Sequence, residues 1–377
     1  MPDDPSPPSR SERDLPPRRP DPLPHRARVL DLGAGVSAPT HAPFPWFGGK
    51  SFAAPEIRAL LGDGLSSYVE PFAGSLAVPL TGGPIAKVET VNDADGLLAN
   101  VWRSIRWSPE ATAQAADWPV SEADLSARHL WLIGRREEIT RKIQTDPEWH
   151  DPKAAGWWIW GACCWIGSGW CSGDGPWTAG DDGAWVRDAG QGVHRKLPRL
   201  GNAGQGIHRH LPRLGNTGQG IHRQLPHLSP GQGIHRQFNA GREGALVAWF
   251  TTLATRLERV RIACGDWSRV VTPAAADPLG DGRVGVLLDP PYPDAWDADG
   301  AYAGGTSDAW HEAAAWAITA PPSWRIVLCG YEGMWTPPNG WVTVPVSSNV
   351  GYQKVSRNGT ERLWCSPACV VRQGQLF

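Results

Sequence analysis

Four short apolar or β-branched runs, each stopping abruptly at an acidic residue or a glycine, constrain what this chain can fold into more than any other feature. Tyr68-Val69 leads into Glu70, Val88 to Val91 into Asn92-Asp93, Val260 to Ala263 into Cys264-Gly265-Asp266, and Val284 to Leu288 into Asp289. Runs of this length suit strands of a sheet covered on both sides by helices. Helical patterns separate them. Leu246, Trp249, Phe250, Leu253 and Leu257 keep one face apolar through residues 245–258, and Leu97 to Ile105 follows Asp95 as an N-cap. The alternation predicts a three-layer α/β, Rossmann-like fold with polar residues gathered at the strand C-termini.

Residues 1–41 are rich in proline and mixed charges and poor in large apolar side chains, so they read as a disordered tail. Within them, Val29-Leu30-Asp31-Leu32-Gly33-Ala34-Gly35 looks like a strand and glycine turn that would open a nucleotide-binding unit. Such a unit needs a helix immediately afterwards, and Val36-Ser37-Ala38-Pro39-Thr40 supplies none, so the stretch reads as a decoy. No apolar run approaches the roughly 18 residues of a membrane span, and the N-terminus lacks the apolar segment of a secretory signal. The expectation is a cytoplasmic, monomeric protein. Seven scattered cysteines form neither a secreted disulfide framework nor a paired zinc pattern, and no metal is expected.

Residues 111–242 differ in composition from the segments on either side and read as an insertion into a catalytic domain formed by 42–110 and 243–377. The stretch Trp157 to Trp165 reads as a buried helix rather than an open aromatic surface. Further on, a unit beginning Gly190-Gln191-Gly192-Val193-His194-Arg195 recurs from Gly204, Gly218 and Gly231, at spacings of fourteen, fourteen and thirteen residues, within 189–239. These periods are too short for helical solenoids. Between Ala189 and Arg242 there are eight Lys or Arg and no Asp or Glu, in a chain whose net charge is only -2. Arg195, Lys196, Arg199, Arg209, Arg213, Arg223 and Arg236 therefore make this the region suited to meet DNA phosphates. The recurring histidines are each followed by Arg, whose charge opposes a bound cation.

The most specific local signal is Asp289-Pro290-Pro291-Tyr292 at the end of an apolar run. An amino group on an aromatic ring is a poor nucleophile because its lone pair is delocalised. The Asp289 carboxylate and the Pro290 carbonyl can hold its hydrogens, and two prolines fix the backbone that presents that carbonyl. Tyr292 adds an aromatic face on which an extruded base can stack. A second constellation, Glu70-Pro71-Phe72-Ala73-Gly74-Ser75, ends another run in an acid and a glycine turn that lets backbone approach a ligand. Upstream, Trp46-Phe47-Gly48-Gly49-Lys50-Ser51 supplies a glycine turn and a cation. It lacks the glycine that a phosphate-binding P-loop needs at position 44, where Phe44 stands, so nucleotide hydrolysis is disfavoured.

Taken in order, Pro45 to Lys50, Val69 to Ser75, Asn92 to Asp95, Cys264 to Trp267 and Asp289 to Tyr292 resemble the Dam-like class of N6-adenine DNA methyltransferases, particularly its phage and prophage members. The resemblance covers about 43–110 and 243–366. It implies an S-adenosylmethionine-dependent methyltransferase fold with an inserted DNA-recognition region, acting on double-stranded DNA. Under it, Lys50 and the Glu70 to Ser75 turn hold the methionine part of the cofactor, and Trp46, Gly48 and Gly49 also belong to the cofactor-binding set. Asp93 holds the ribose hydroxyls, Asp266 with Trp267 the cofactor adenine, and Asp289, Pro290, Pro291 and Tyr292 the target base. Leu76 departs from the pattern, since many relatives have a second glycine there. Two other readings stand beside this one. An N4-cytosine methyltransferase performs the same chemistry, though that class more often has Ser where Asp289 stands. A catalytically inactive DNA-binding protein on the same scaffold is the other. The chain itself names neither a recognised DNA site nor a companion restriction endonuclease.

Overall fold

Each of the four apolar runs lies in a strand of one sheet: β1 (Leu65–Glu70), β2 (Ala86–Asp93), β3 (Val260–Cys264) and β4 (Val284–Leu288). Three further strands complete it, β5 (Arg325–Tyr331), β6 (Val342–Pro345) and β7 (Glu361–Cys365). The structure, a computed structural model, describes residues 41–46, 48–165, 170–171, 177–179, 185–187, 227–229, 232–233, 244–293, 308–346 and 360–370. The order across the sheet is β6-β7-β5-β4-β1-β2-β3. β3, β2, β1, β4 and β5 pair in parallel, while β7 runs antiparallel between β5 and β6. From β1 the chain moves outward through β2 to β3, then returns to the other side of β1 for β4 and β5. That reversal is the doubly wound arrangement, and its crevice lies beyond the C-terminal ends of β1 and β4.

Strand periodicity explains why β1 and β4 are buried throughout. Successive side chains point to opposite faces. Tyr68, Leu287 and Val327 pack with Ile57, Leu60 and Leu61 of α1 (Ala54–Leu61). Their neighbours Val69, Leu288 and Ile326 pack on the other face with Trp310, Ala313 and Ala317, which belong to a helix at Ala309–Thr319. The fold is therefore α/β with a mostly parallel seven-stranded sheet between helical layers. Among the described residues no helix is long and apolar enough to cross a membrane.

After β1 comes the single turn α2 (Ala77–Leu80), and after β2 comes α3 (Gly96–Trp107), whose first turn is capped by the Asp95 carboxylate accepting from Leu97 N at 2.9 Å. Beyond it lie α4 (Pro109–Ala116), α5 (Glu122–Thr145) and α6 (Pro152–Cys164), and α7 (Ala245–Leu257) leads into β3. These helices do not form a core of their own. Ala113, Ile139, Trp158 and Ile159 share one hydrophobic cluster with Leu98 and Trp102 of α3, Phe250 of α7 and Val91 of β2. The first part of the 111–242 segment is thus built into the body that carries the sheet. Polar ties reinforce it: the Asn100 side chain bonds both the carbonyl and the N–H of Asp151 at the start of α6, at 2.9 and 2.7 Å. The Arg103 guanidinium donates to the carbonyls of Ile143 and Asp146 at the end of α5.

Trp158 and Trp160 are buried within α6, as expected of the aromatic stretch, while Trp157 is half-buried. α8 (Pro273–Ala276) and α9 (Ala309–Thr319) complete the helices. The 1–41 tail up to residue 40, including Val29 to Gly35, lies outside the described residues. So does the 189–239 repeat apart from His227–Ser229 and Gln232–Gly233, which pair with each other. Arg195, Lys196, Arg199, Arg209, Arg213, Arg223 and Arg236 are all outside them.

Candidate active site at the strand tips

Parallel pairing brings four acidic residues to one edge. Glu70 closes β1 in register with Val91, Asp93 closes β2 in register with Cys264, and Asp266 and Asp289 follow β3 and β4 directly. Asp93 and Asp289 thus sit beyond the two strands that flank β1, at the same end of the sheet. The edge divides into two differently built halves.

On the β4 half, Lys50 is buried and its ammonium lies 2.9 Å from Asp289 Oδ1 and 3.0 Å from Glu361 Oε1. It also donates to the Gly48 carbonyl at 2.8 Å, so the glycine turn orients it. Tyr292 bridges the same groups. Its hydroxyl lies 3.4 Å from Lys50 Nζ and can donate to Asp289 Oδ1 at 3.4 Å or Glu361 Oε1 at 3.3 Å. Burial alone would lower the Lys50 pKa. Asp289, Tyr292 and Glu361 outweigh it and hold the ammonium well above its usual range. Burial pushes the Asp289 carboxyl up, and the Lys50 charge opposes that rise. Glu70, buried at the tip of β1, accepts from Tyr68 Oη at 2.9 Å, and burial raises its pKa well above the carboxylate range despite that bond.

On the β2 half the carboxylates are held by backbone. Asp93 accepts from Gly74 N at 3.0 Å and from Asp95 N at 2.9 Å, one bond to each oxygen. Burial still dominates and lifts its pKa to about 6. The Pro71 to Ser75 turn is pinned by Asn92, whose amide donates to the carbonyls of Pro71 at 2.9 Å and Gly265 at 3.0 Å. Gly74 has φ 48°, and a Cβ there would lie 2.6 Å from Trp46 Nε1, so the turn closes on Trp46 only with glycine at that position. Two residues on, Leu76 adopts φ 53° while fully buried. A glycine-preferring backbone conformation is therefore retained by a leucine, at a cost of about 1–2 kcal/mol that its burial offsets. Asp266 accepts from the Ser268 N–H at 2.9 Å and from the Ser268 hydroxyl, and these bonds lower its pKa. The rings of Phe72 and Trp267 meet at 5.7 Å with 31° between their planes.

The predicted cofactor and base residues that the structure describes are brought to one edge, and two of them make contacts the sequence did not foreshadow. Lys50, assigned by resemblance to the methionine part of a cofactor, pairs with the partly buried Asp289 and Glu361. Tyr292, expected to offer an open face, is only 6% exposed and packs on Tyr331 at 5.0 Å between ring centres, since its hydroxyl is drawn into the Lys50 cluster. Glu361 was missed altogether. It starts β7, 69 residues beyond Tyr292, and no local motif surrounds it; only the antiparallel pairing of Glu361 with Tyr331 carries it to the site. Among the described residues no group of three or more His, Cys, Asp or Glu is arranged to hold a metal ion. Compared with protein-family models and with curated protein sequences, the chain matches none.

Proposed function

We propose that this chain is a DNA methyltransferase that transfers a methyl group from S-adenosylmethionine to N6 of an adenine extruded from duplex DNA. The observation that carries the reading is the division of one strand-tip edge into a backbone-held acidic half and, two strands away, an Asp-Pro-Pro-Tyr half locked by Lys50. Residues of the β2 half fit a nucleoside. Each Asp93 oxygen takes one backbone N–H, and a carboxylate has about four lone-pair sites, which leaves acceptor capacity for two ribose hydroxyls. Phe72 and Trp267, both half-buried, offer a flat apolar surface beside them.

S-adenosylmethionine, when bound, supplies an electrophilic methyl on a sulfonium that is already a good leaving group. The chain's task is then orientation. Asp289 and the Pro290 carbonyl would accept the two hydrogens of the amino group and so orient its lone pair, and the proton that the nitrogen must lose on methylation can pass to Asp289 or to solvent. The Lys50 ammonium, 2.9 Å away, opposes the effect of burial on Asp289 and so favours the carboxylate that can accept a hydrogen bond. Tyr292 is only 6% exposed, so a base could lie against it only where the packing around the ring opened.

The test is incubation of the purified chain with labelled S-adenosylmethionine and duplex DNA, followed by mass analysis of the nucleosides. N6-methyladenine is the expected product. N4-methylcytosine would move the assignment to the cytosine class. Salt-sensitive duplex binding with no methylated nucleoside would leave only a binding protein.

A further inference from the structure

Away from the strand tips, α4, α5 and α6 border an open cavity of about 520 Å³ lined by Gln114, Trp118, Asp124, Arg128, Trp131 and Trp157, a volume in the range of small-molecule sites. It lies well away from the edge just described. Arg128 is twelve residues before Thr140, the α5 residue that packs against Gly96 beside Asp95, which is about 18 Å along the helix at ~1.5 Å per residue.

Arg128 is what makes this cavity unusual. The residue is 7% exposed, it makes no hydrogen bond or ion pair among the described residues, and its Nη1 is buried without an acceptor. Its guanidinium carbon instead lies 4.3, 4.9 and 5.2 Å from the ring centres of Trp160, Trp157 and Trp118. Ring faces attract a cation, but they give its in-plane N–H groups nothing to bond. Asp124, one turn earlier, lies near enough for its charge to act on Arg128 but forms no hydrogen bond or ion pair with it; its Oδ2 takes the Trp118 indole N–H at 2.9 Å. At the rim, Lys153 is exposed and its ammonium sits 4.5 Å from the Trp157 ring and 5.1 Å from the Trp131 ring. Trp118 is 47% exposed.

We infer that this cavity binds a guanine nucleotide, free or unstacked in a single strand. Three features have to be met together: indole faces that want a flat ring, a guanidinium fork that wants two adjacent in-plane acceptors, and an exposed ammonium that wants a phosphate. The O6 and N7 edge of guanine is the pair of acceptors that an arginine fork matches. Adenine puts an amino donor beside N7, which opposes the fork. A simple carboxylate would satisfy Arg128 and leave the indoles and Lys153 without a role. The inference is independent of methyl transfer, and its readout is binding alone.

The experiment is calorimetric titration of the full chain with GMP, AMP and 7-deaza-GMP, and with the single strands d(TTGTT) and d(TTATT). GMP should bind at least about tenfold more tightly than AMP or 7-deaza-GMP, and d(TTGTT) more tightly than d(TTATT) by a similar factor. Arg128→Met should remove the preference, and Trp118→Ala should weaken all the purines. Because Arg128→Met could also unsettle the helices, the 7-deaza comparison on the unaltered chain stands by itself. Equal affinity for GMP and 7-deaza-GMP, or no binding of either GMP or d(TTGTT), would overturn the inference. Tighter binding of d(TTGTT) than of GMP would support it with a strand as the source, and the reverse would support it with the free nucleotide.

Discussion

The two halves of the strand-tip edge hold their acids by opposite means. Asp289 is steadied by side chains from distant parts of the sequence, Lys50 before β1 and Glu361 at the start of β7. Asp93 is steadied by main-chain N–H groups of Gly74 and Asp95, within twenty residues of it. The first arrangement couples three charged side chains and a tyrosine, so altering one changes the electrostatics of the rest. The second depends on the course of the backbone, with Gly74 and Leu76 both at positive φ in the turn that presents the donors. A network of side chains can be tuned by single substitutions; a backbone cradle responds mainly to substitutions that move the chain.

The sharpest way to separate the halves is Asp289→Ala. Loss of one oriented acceptor for the reacting amino group should lower methyl transfer by about a thousandfold while duplex binding, followed by fluorescence anisotropy over a salt series, stays as it was. Full methylation by that variant would end the mechanism. Next comes Lys50→Met, which leaves Asp289 and Glu361 partly buried without their shared cation. We expect a loss of about 3 kcal/mol in urea denaturation, and a much smaller loss for Glu361→Gln, because that change removes a negative charge rather than the only positive one. Equal small costs for both would mean that the cluster does not act as a unit.

The β2 half should show itself through pH. The Asp93 carboxyl titrates at about 6 in the folded chain against 3.8 for an unperturbed side chain, so between these values the folded state binds more protons than the unfolded one. Asp93 therefore favours the folded state increasingly as pH falls from 6 toward 4, by about 2 kcal/mol once its partial exposure is allowed for, and this contribution is lost as pH rises through 6. Denaturation midpoints of the wild type and Asp93→Asn across that window should differ in slope. S-adenosylmethionine affinity should move the other way, weakening below pH 6 as the acceptor is protonated. The smallest expected effect is Trp267→Ala, which removes one stacking face and should weaken cofactor binding by about fivefold to tenfold, read by calorimetry.

Four strands were legible from short apolar or β-branched stretches that stop at an acid or a glycine, Val284 to Leu288 being the plainest, although Ser66, Glu89 and Arg261 interrupt β1, β2 and β3. The Asp95 cap of α3 was legible as well. β5 and β7 were not read from the sequence. Arg325 and Glu361 place charge at their ends, and β7 joins the sheet by antiparallel pairing across a long separation. The aromatic stretch in α6 was readable as a buried helix, whereas the cavity it shares with α4 and α5 was not, since Trp118 lies in the connection after α4, Arg128 in α5 and Trp157 in α6.

The chain by itself determined four of the five parallel strands and the acids that stand at their tips, because apolar runs and strand-terminating acids are local properties that depend on neighbours in sequence. Tertiary structure alone decided that Lys50 would lie between Asp289 and Glu361, that Tyr292 would turn inward, and that Arg128 would be enclosed by indoles. Those outcomes rest on Coulomb attraction and desolvation between groups far apart in the chain, energies that exist only once folding has set the distances.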